Sequence, residues 1–169
     1  DHHRLRQRAF DQASPVQERA RGKAAGEQAG GHTEIAEREA DEAVTRWSQR
    51  GFERPQYLRL LTLVQIRLYL GRAREAWDLL ERHRAEFRRP LFRRVQHTRV
   101  ETANWRARCA LAVAPGGEAG QHLRAVALEE AQRIDRERMP WSNPFATLIR
   151  ATVACQQGDV AGATKGLAA

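Results

Sequence analysis

Apolar residues recur along this chain at the three- and four-residue spacing of helices. The densest stretch is 55–70, which is apolar nearly all round, so it should be buried on most of its surface. Pro55 suits a first helical turn, and Gly71 suits the left-handed position just past a helix end. A second helix over 73–88 carries Ala73, Ala76, Trp77, Leu80 and Phe87 on one stripe. A helix that is apolar all round must be wrapped by neighbours, so this pair predicts an all-helical, layered protein.

The same spacing places helices before and after the pair. One is expected over 34–50, with Thr33 as its N-cap, a stripe of Ile35, Ala36, Ala40, Ala43, Val44 and Trp47, and Gly51 as its stop. A long helix over 90–114 carries Val95, Val100, Ala103, Ala107, Cys109, Ala110, Leu111 and Val113 on a wide arc, so more than one of its sides should be packed. Pro115-Gly116-Gly117 ends it. A helix over 120–138 turns Leu123, Val126, Ala127, Ala131 and Ile134 inward. Asn143-Pro144 reads as an N-cap and first-turn proline, and the helix that follows carries Phe145, Leu148, Ile149, Thr152, Val153 and Cys155. Gly158 stops that helix, and Asp159 caps a last one that the end of the sequence cuts short. In residues 1–32, Leu5, Ala9 and Phe10 suit a short helix before Ser14-Pro15. Residues 15–29 suit a second, which has Val16 as its one large apolar residue and is weakened by Gly22 and Gly26. With the Gly30-Gly31 break after it, a weakly packed helix or arm is expected. The sequence therefore divides into an N-terminal arm, 1–32, and a helical domain, 33–169.

An internal repeat emerges when Gly71 is laid on Gly158, an offset of 87 residues. Ala76 then meets Ala163, Leu80 meets Leu167, Leu58 meets Phe145, Leu61 meets Leu148 and Ile66 meets Val153. Upstream, Ala40 meets Ala127 and Trp47 meets Ile134. Hairpins of roughly forty residues that bury their cores only by stacking define an α-solenoid.

The junction Leu68-Tyr69-Leu70-Gly71-Arg72-Ala73-Arg74-Glu75-Ala76-Trp77 resembles that of a tetratricopeptide-type repeat, as does Gly158-Asp159-Val160-Ala161-Gly162-Ala163. Val64 and Arg67 depart from that pattern, so the resemblance is to a TPR-like unit. It implies an all-α, right-handed solenoid of antiparallel helix hairpins. A second resemblance covers about 34–165. Trp47-Ser48-Gln49-Arg50-Gly51-Phe52, Gln65-Ile66-Arg67-Leu68-Tyr69, Arg94-Val95-Gln96, Arg106-Ala107-Arg108 and Glu137-Arg138-Met139-Pro140-Trp141 are similar to the helical region C-terminal to the catalytic domain of bacterial eukaryotic-type serine/threonine protein kinases. This implies a regulatory or docking module of a kinase. It does not imply kinase activity for this chain, which has no Gly-x-Gly-x-x-Gly, Val-Ala-Ile-Lys, His-Arg-Asp or Asp-Phe-Gly.

The net charge of +8 is concentrated in one place: residues 82–108 carry nine arginines against two glutamates. Only two of the 29 basic side chains are lysines, a bias that a GC-rich bacterial genome produces, so the surplus is partly codon-driven. Cys109 and Cys155 sit among apolar helical neighbours and read as buried thiols of a reducing compartment, with a disulfide between them left open. No stretch approaches the roughly 20 apolar residues of a membrane span, and the N-terminus has no apolar signal core, so the expected location is cytoplasmic. The absence of an initiator methionine, and a last helix that stops mid-course, suggest a piece of a longer protein.

Candidate chemistry is confined to the arginine-rich stretch. Arg99 and Arg106 fall among apolar positions and have no acidic residue three or four places away, so partners must come from another helix or from a ligand. The structural reading is an interhelical network with Glu101, Glu130 or Asp135; the functional one is a groove for an acidic peptide or phosphate. Arg88, Arg89, Arg93, Arg94, His97 and Arg108 are the candidate partner contacts. The six histidines have no metal-ligand spacing, Glu129, Glu130 and Asp135 read as solvated charges, and no serine has a nucleophile's context; no metal site, cofactor or catalytic residue is assigned. The first reading is a non-catalytic protein-interaction scaffold whose partner is a protein or peptide, the parent kinase domain included. The alternative is nucleic-acid or other polyanion binding through 82–108, weakened because no aromatic residue of the stretch is read as a stacking platform. Oligomeric state is left open.

Overall fold

The computed structural model describes residues 31, 33–39, 42 and 53–168, and among them there is no strand. The expected arm 1–32 apart from Gly31, the stripe positions Ala40, Ala43, Val44 and Trp47, and Gly51 lie outside the described residues. Gly31 and residues 33–39 are helical, so Thr33 lies within a helix and does not cap its start. Glycine tolerates helical dihedrals at a cost of about 1 kcal/mol, which weakens a helix without forbidding it.

From residue 53 onward the helices are α1 (Arg54–Tyr69), α2 (Ala73–Arg82), α3 (Pro90–Arg94), α4 (Gln96–Val113), α5 (Gln121–Arg136), α6 (Asn143–Gln156) and α7 (Val160–Ala168). Short 3-10 turns at Glu86–Arg88, Glu118–Gly120 and Pro140–Ser142 join some of them. Chain neighbours pack as spatial neighbours, and α4 touches the most elements: α1, α2, α3, α5 and α6.

Two core clusters meet on α4. Its Val100, Ala103, Ala107 and Leu111 pack with Ala127, Ala131 and Ile134 of α5 and Ala146, Ile149 and Val153 of α6. From a different side its Cys109, with the half-buried Trp105, packs with Leu60, Leu63 and Val64 of α1 and Ala76, Leu79 and Leu80 of α2. That double duty is why the apolar arc read from the sequence is so wide. The alanines let the helices approach closely, and burial of each large aliphatic side chain contributes about 1.5–3 kcal/mol.

Two helix boundaries differ from expectation. The helix after Gly71 ends at Arg82, short of residue 88. A His83 ring nitrogen lies 3.0 Å from the Leu79 carbonyl, while the His83 amide turns to Leu80, so the last turn tightens. Phe87 still reaches the core, from the following 3-10 turn. The helix expected over 90–114 is broken at Val95, which is extended (ψ 110°) and exposed. Extended backbone suits this β-branched residue, and the break lets Phe92 of α3 pack on Tyr57 and Leu61 of α1.

The two glycine junctions are built alike. Gly71 has φ +73°, and the amides of Gly71 and Arg72 donate to the carbonyls of Leu68 and Arg67. Gly158 has φ +86°, and the amides of Gly158 and Asp159 donate to Cys155 and Ala154. Both are Schellman closures, and every paired position differs by the same offset of 87. Asp159 then accepts from the Gly162 amide at 2.8 Å, the cap expected there. No atom lies within 4 Å of a methyl added at either junction glycine, so only backbone strain opposes one. Gly71→Ala and Gly158→Ala should each lower unfolding free energy by about 1 kcal/mol in urea titrations, and by equal amounts. A loss at one site only would mean that the two closures differ energetically.

Burial at the paired positions is less alike. Leu61 and Leu80 are each 2% exposed, while their counterparts Leu148 and Leu167 are 53% and 55% exposed. Cys155 is exposed and Cys109 buried, and both are free thiols, which corrects the expectation of two buried cysteines. Ala146, Ile149 and Val153 define the inward face of α6, and Cys155, two residues beyond Val153, points away from it. Burial pushes the Cys109 thiol up to about 12, so it stays protonated at neutral pH. No helix among the described residues is long and apolar enough to cross a membrane.

Candidate functional site: an arginine-lined cleft

The break at Val95 opens a cleft of about 390 Å³ between the 84–93 segment, the first half of α4 and the last turns of α5. Among the described residues, seven arginines and two glutamates line it. They arrange themselves as a floor, a wall and a rim.

Arg106 is the floor. It is 8% exposed, and its Nε donates to Glu81 of α2 at 2.7 Å while its Nη1 donates to Glu130 of α5 at 2.5 Å. Glu130, 1% exposed, also accepts from Arg133 at 2.7 Å. The guanidinium carbon of Arg106 lies 5.3 Å from the centre of the Trp77 ring. Burial works against this charge, but the hydrogen bonds to Glu81 and Glu130 outweigh it, and the pKa lies above the ordinary arginine value. Arg106 therefore ties three helices together as a fixed cation.

Arg99 is the wall. Its Nε and Nη2 donate to the two carboxylate oxygens of Glu137, each at 2.6 Å, and its Nη1 donates to the Arg93 carbonyl across the break. Gln96 donates to the Glu137 carbonyl at 3.0 Å. The hydrogen bonds from Arg99 hold the Glu137 carboxyl below the usual carboxylate range, against the opposing effect of partial burial. A carboxyl lowered on folding contributes stability above its unfolded pKa, and that contribution fades as pH falls through its folded pKa. The Arg99 side chain is partly open to solvent, so the contribution is screened. Glu137→Gln should lower the urea midpoint slightly at pH 7, by under about 1 kcal/mol, and change it less near pH 3. An equal loss at both pH values would show that packing rather than charge holds the clasp.

The rim is Arg88, Arg93 and Arg136. None forms an ion pair among the described residues, and all three are exposed.

Of the residues singled out from the sequence, the cleft collects Arg88, Arg93, Arg99 and Arg106. Arg89 is paired with Glu86 at 2.6 Å, and Arg94 is exposed outside the cleft. His97 packs its ring 5.6 Å from Trp141, and Arg108 lies over Trp105 at 4.3 Å. Glu101 pairs with neither Arg99 nor Arg106. It accepts from the Tyr57 hydroxyl at 2.7 Å, because its position on α4 faces α1, and burial with this carboxylate beside it raises the Tyr57 pKa. Glu130, one of the three acids named for the interhelical network, is the one that pairs with Arg106. It is buried rather than solvated, which corrects the other reading of it, and Asp135 pairs with Arg150 outside the network. Sequence reasoning missed Arg133, Arg136, Glu137 and the Glu81 contribution. Glu130, Arg133 and Glu137 fall at i, i+3 and i+7, a charged stripe that would have placed them on one face.

The cleft offers guanidinium donors and the hydroxyls of Thr98 and Thr102, and both of its carboxylates are engaged by arginine. No cluster of three or more potential metal ligands occurs among the described residues. What this arrangement can do is hold an anion. Compared with family models, with characterised proteins and with solved structures, the chain matches none.

Proposed function

We propose that this chain is a non-catalytic interaction module that holds an acidic segment of a protein partner in the α4–α5 cleft. The observation that carries this reading is the rim: three cations with no carboxylate partner among the described residues, gathered over a floor and wall whose arginines are already engaged by glutamates. The architecture behind it is a TPR-like, right-handed solenoid of antiparallel hairpins, supported by the two Schellman closures 87 residues apart. The resemblance to the helical region of bacterial serine/threonine kinases makes a cytoplasmic signalling protein the setting, with the parent kinase domain among the candidate partners. A kinase catalytic domain in the same reading frame is the expected finding; a gene without one removes that part.

Polyanion binding is the second reading. The observation that favours it is the run of exposed Arg88, Arg89, Arg93 and Arg94 beside the cleft. Capture from source lysate by the immobilised chain at low and at about 150 mM salt separates the two. The expected result is a discrete protein retained at both salt levels and lost from an Arg88→Glu/Arg93→Glu variant. Retention of nucleic acid alone, eluting as salt rises, supports the second reading instead.

A further inference from the structure

The charge of the cleft says which anion suits it. Glu130 and Glu137 are satisfied by Arg106, Arg133 and Arg99, and Glu81 reaches in from α2 to Arg106 and, at 3.5 Å, to Arg84. What remains is Arg88 from the 3-10 turn, Arg93 from α3 and Arg136 from α5, converging on one cavity from separate elements. A ligand carboxylate brings one charge and one plane of two oxygens, which a single guanidinium already matches. A phosphate monoester brings about −1.5 to −2 and three acceptor oxygens. Three guanidinia supplied to one cavity by three elements match that group in charge and in number. A concave site with clasped walls also raises the local potential and limits the ordering cost of binding.

The aromatic residues of the cleft favour a peptide over a nucleic acid. Phe87 and Phe92 line it, but both rings pack on Tyr57, with centroids 6.0 and 5.4 Å away, and Phe92 is buried. Neither is presented as a platform for a base, as single-strand binding requires. We infer that the cleft is a receptor for a phosphoryl group carried on a peptide segment, with Arg88, Arg93 and Arg136 as its oxygen ligands. This rests on the interaction role proposed above and narrows it to one ligand chemistry.

The test is fluorescence anisotropy with the whole chain at about 150 mM salt. The probes are three labelled degenerate peptide pools of one design, centred on phosphoserine, on serine and on three aspartates. Inorganic phosphate and a labelled oligothymidylate form separate arms. The phosphoserine pool should bind at least about tenfold tighter than the other two pools. Arg93→Gln/Arg136→Gln should erase that preference while its circular dichroism stays that of the parent; Arg88→Gln should weaken binding, and Arg72→Gln, on an exposed residue outside the cleft, should not. Equal binding of the aspartate pool would overturn the phosphoryl inference and leave the interaction role standing. Binding by no pool would remove both. A preference that survives Arg93→Gln/Arg136→Gln places the site elsewhere. Inorganic phosphate competing as well as phosphopeptide would make the ligand a free anion, and tighter binding of the oligonucleotide would make it a nucleic acid.

Discussion

Arg106→Met is expected to lower the unfolding free energy by about 3–5 kcal/mol, read from the urea midpoint with circular dichroism. Methionine fills much of the arginine's volume, so the loss is electrostatic more than steric. It leaves Glu130, almost fully buried, with only the half-exposed Arg133 for company. It also removes the tie from α4 to Glu81 of α2. Glu130→Leu should be costly for the complementary reason: Arg106 would keep one partner of two. The double variant should then lose less than the sum, because an apolar pair desolvates no charge; a coupling of about 2 kcal/mol is expected. Strictly additive losses would show that the two side chains do not act as a pair.

Gly120→Ala should cost about 1–3 kcal/mol, although its backbone is ordinary helical geometry. A methyl there would sit 2.0 Å from the Pro115 carbonyl oxygen and 2.4 Å from Nη1 of Arg124. The oxygen belongs to the backbone, so the loop has to move. Arg124 has to move with it, since the buried guanidinium donates to the carbonyls of Pro115 and Gly117 and holds the loop onto α5. Arg124→Met tests the same clamp from the other side, and thermal unfolding of the two variants should drop together. A neutral Gly120→Ala would mean that the loop 115–120 has room to relax.

The helices were legible because their apolar spacing is strong: α1, α5 and α6 lie where the pattern puts them, α2 begins where it does but ends six residues early, and Gly71 and Gly158 stop their helices as expected. The break at Val95 was not, because it is set by tertiary demands: Phe92 is drawn to Tyr57, while Arg99 takes the carbonyl that the break frees. The cleft depends on that break, so the stretch containing it could be picked out while its shape could not. Arg106 announced itself as a cation without a local partner. Arg124 did not, although it lies three residues from the inward Ala127 and shares its face. Glu130 reads both as a partner for such a cation and as a solvated charge; Ala127 and Ile134, three and four residues away on the inward face, decide for burial.

The membership of α4 in both core clusters has a consequence for how the structure opens. Neither cluster can come apart alone without stripping a side from the helix that also seals the other. The backbone amides around Ala107 and Ala110, which are fully buried between them, should therefore exchange with solvent only in openings that breach both clusters. The amides of α7, which packs on α6 at one end of the row of helices, should exchange through a smaller and more frequent opening. The helix that supplies Arg99 and Arg106 would then be the last to let go.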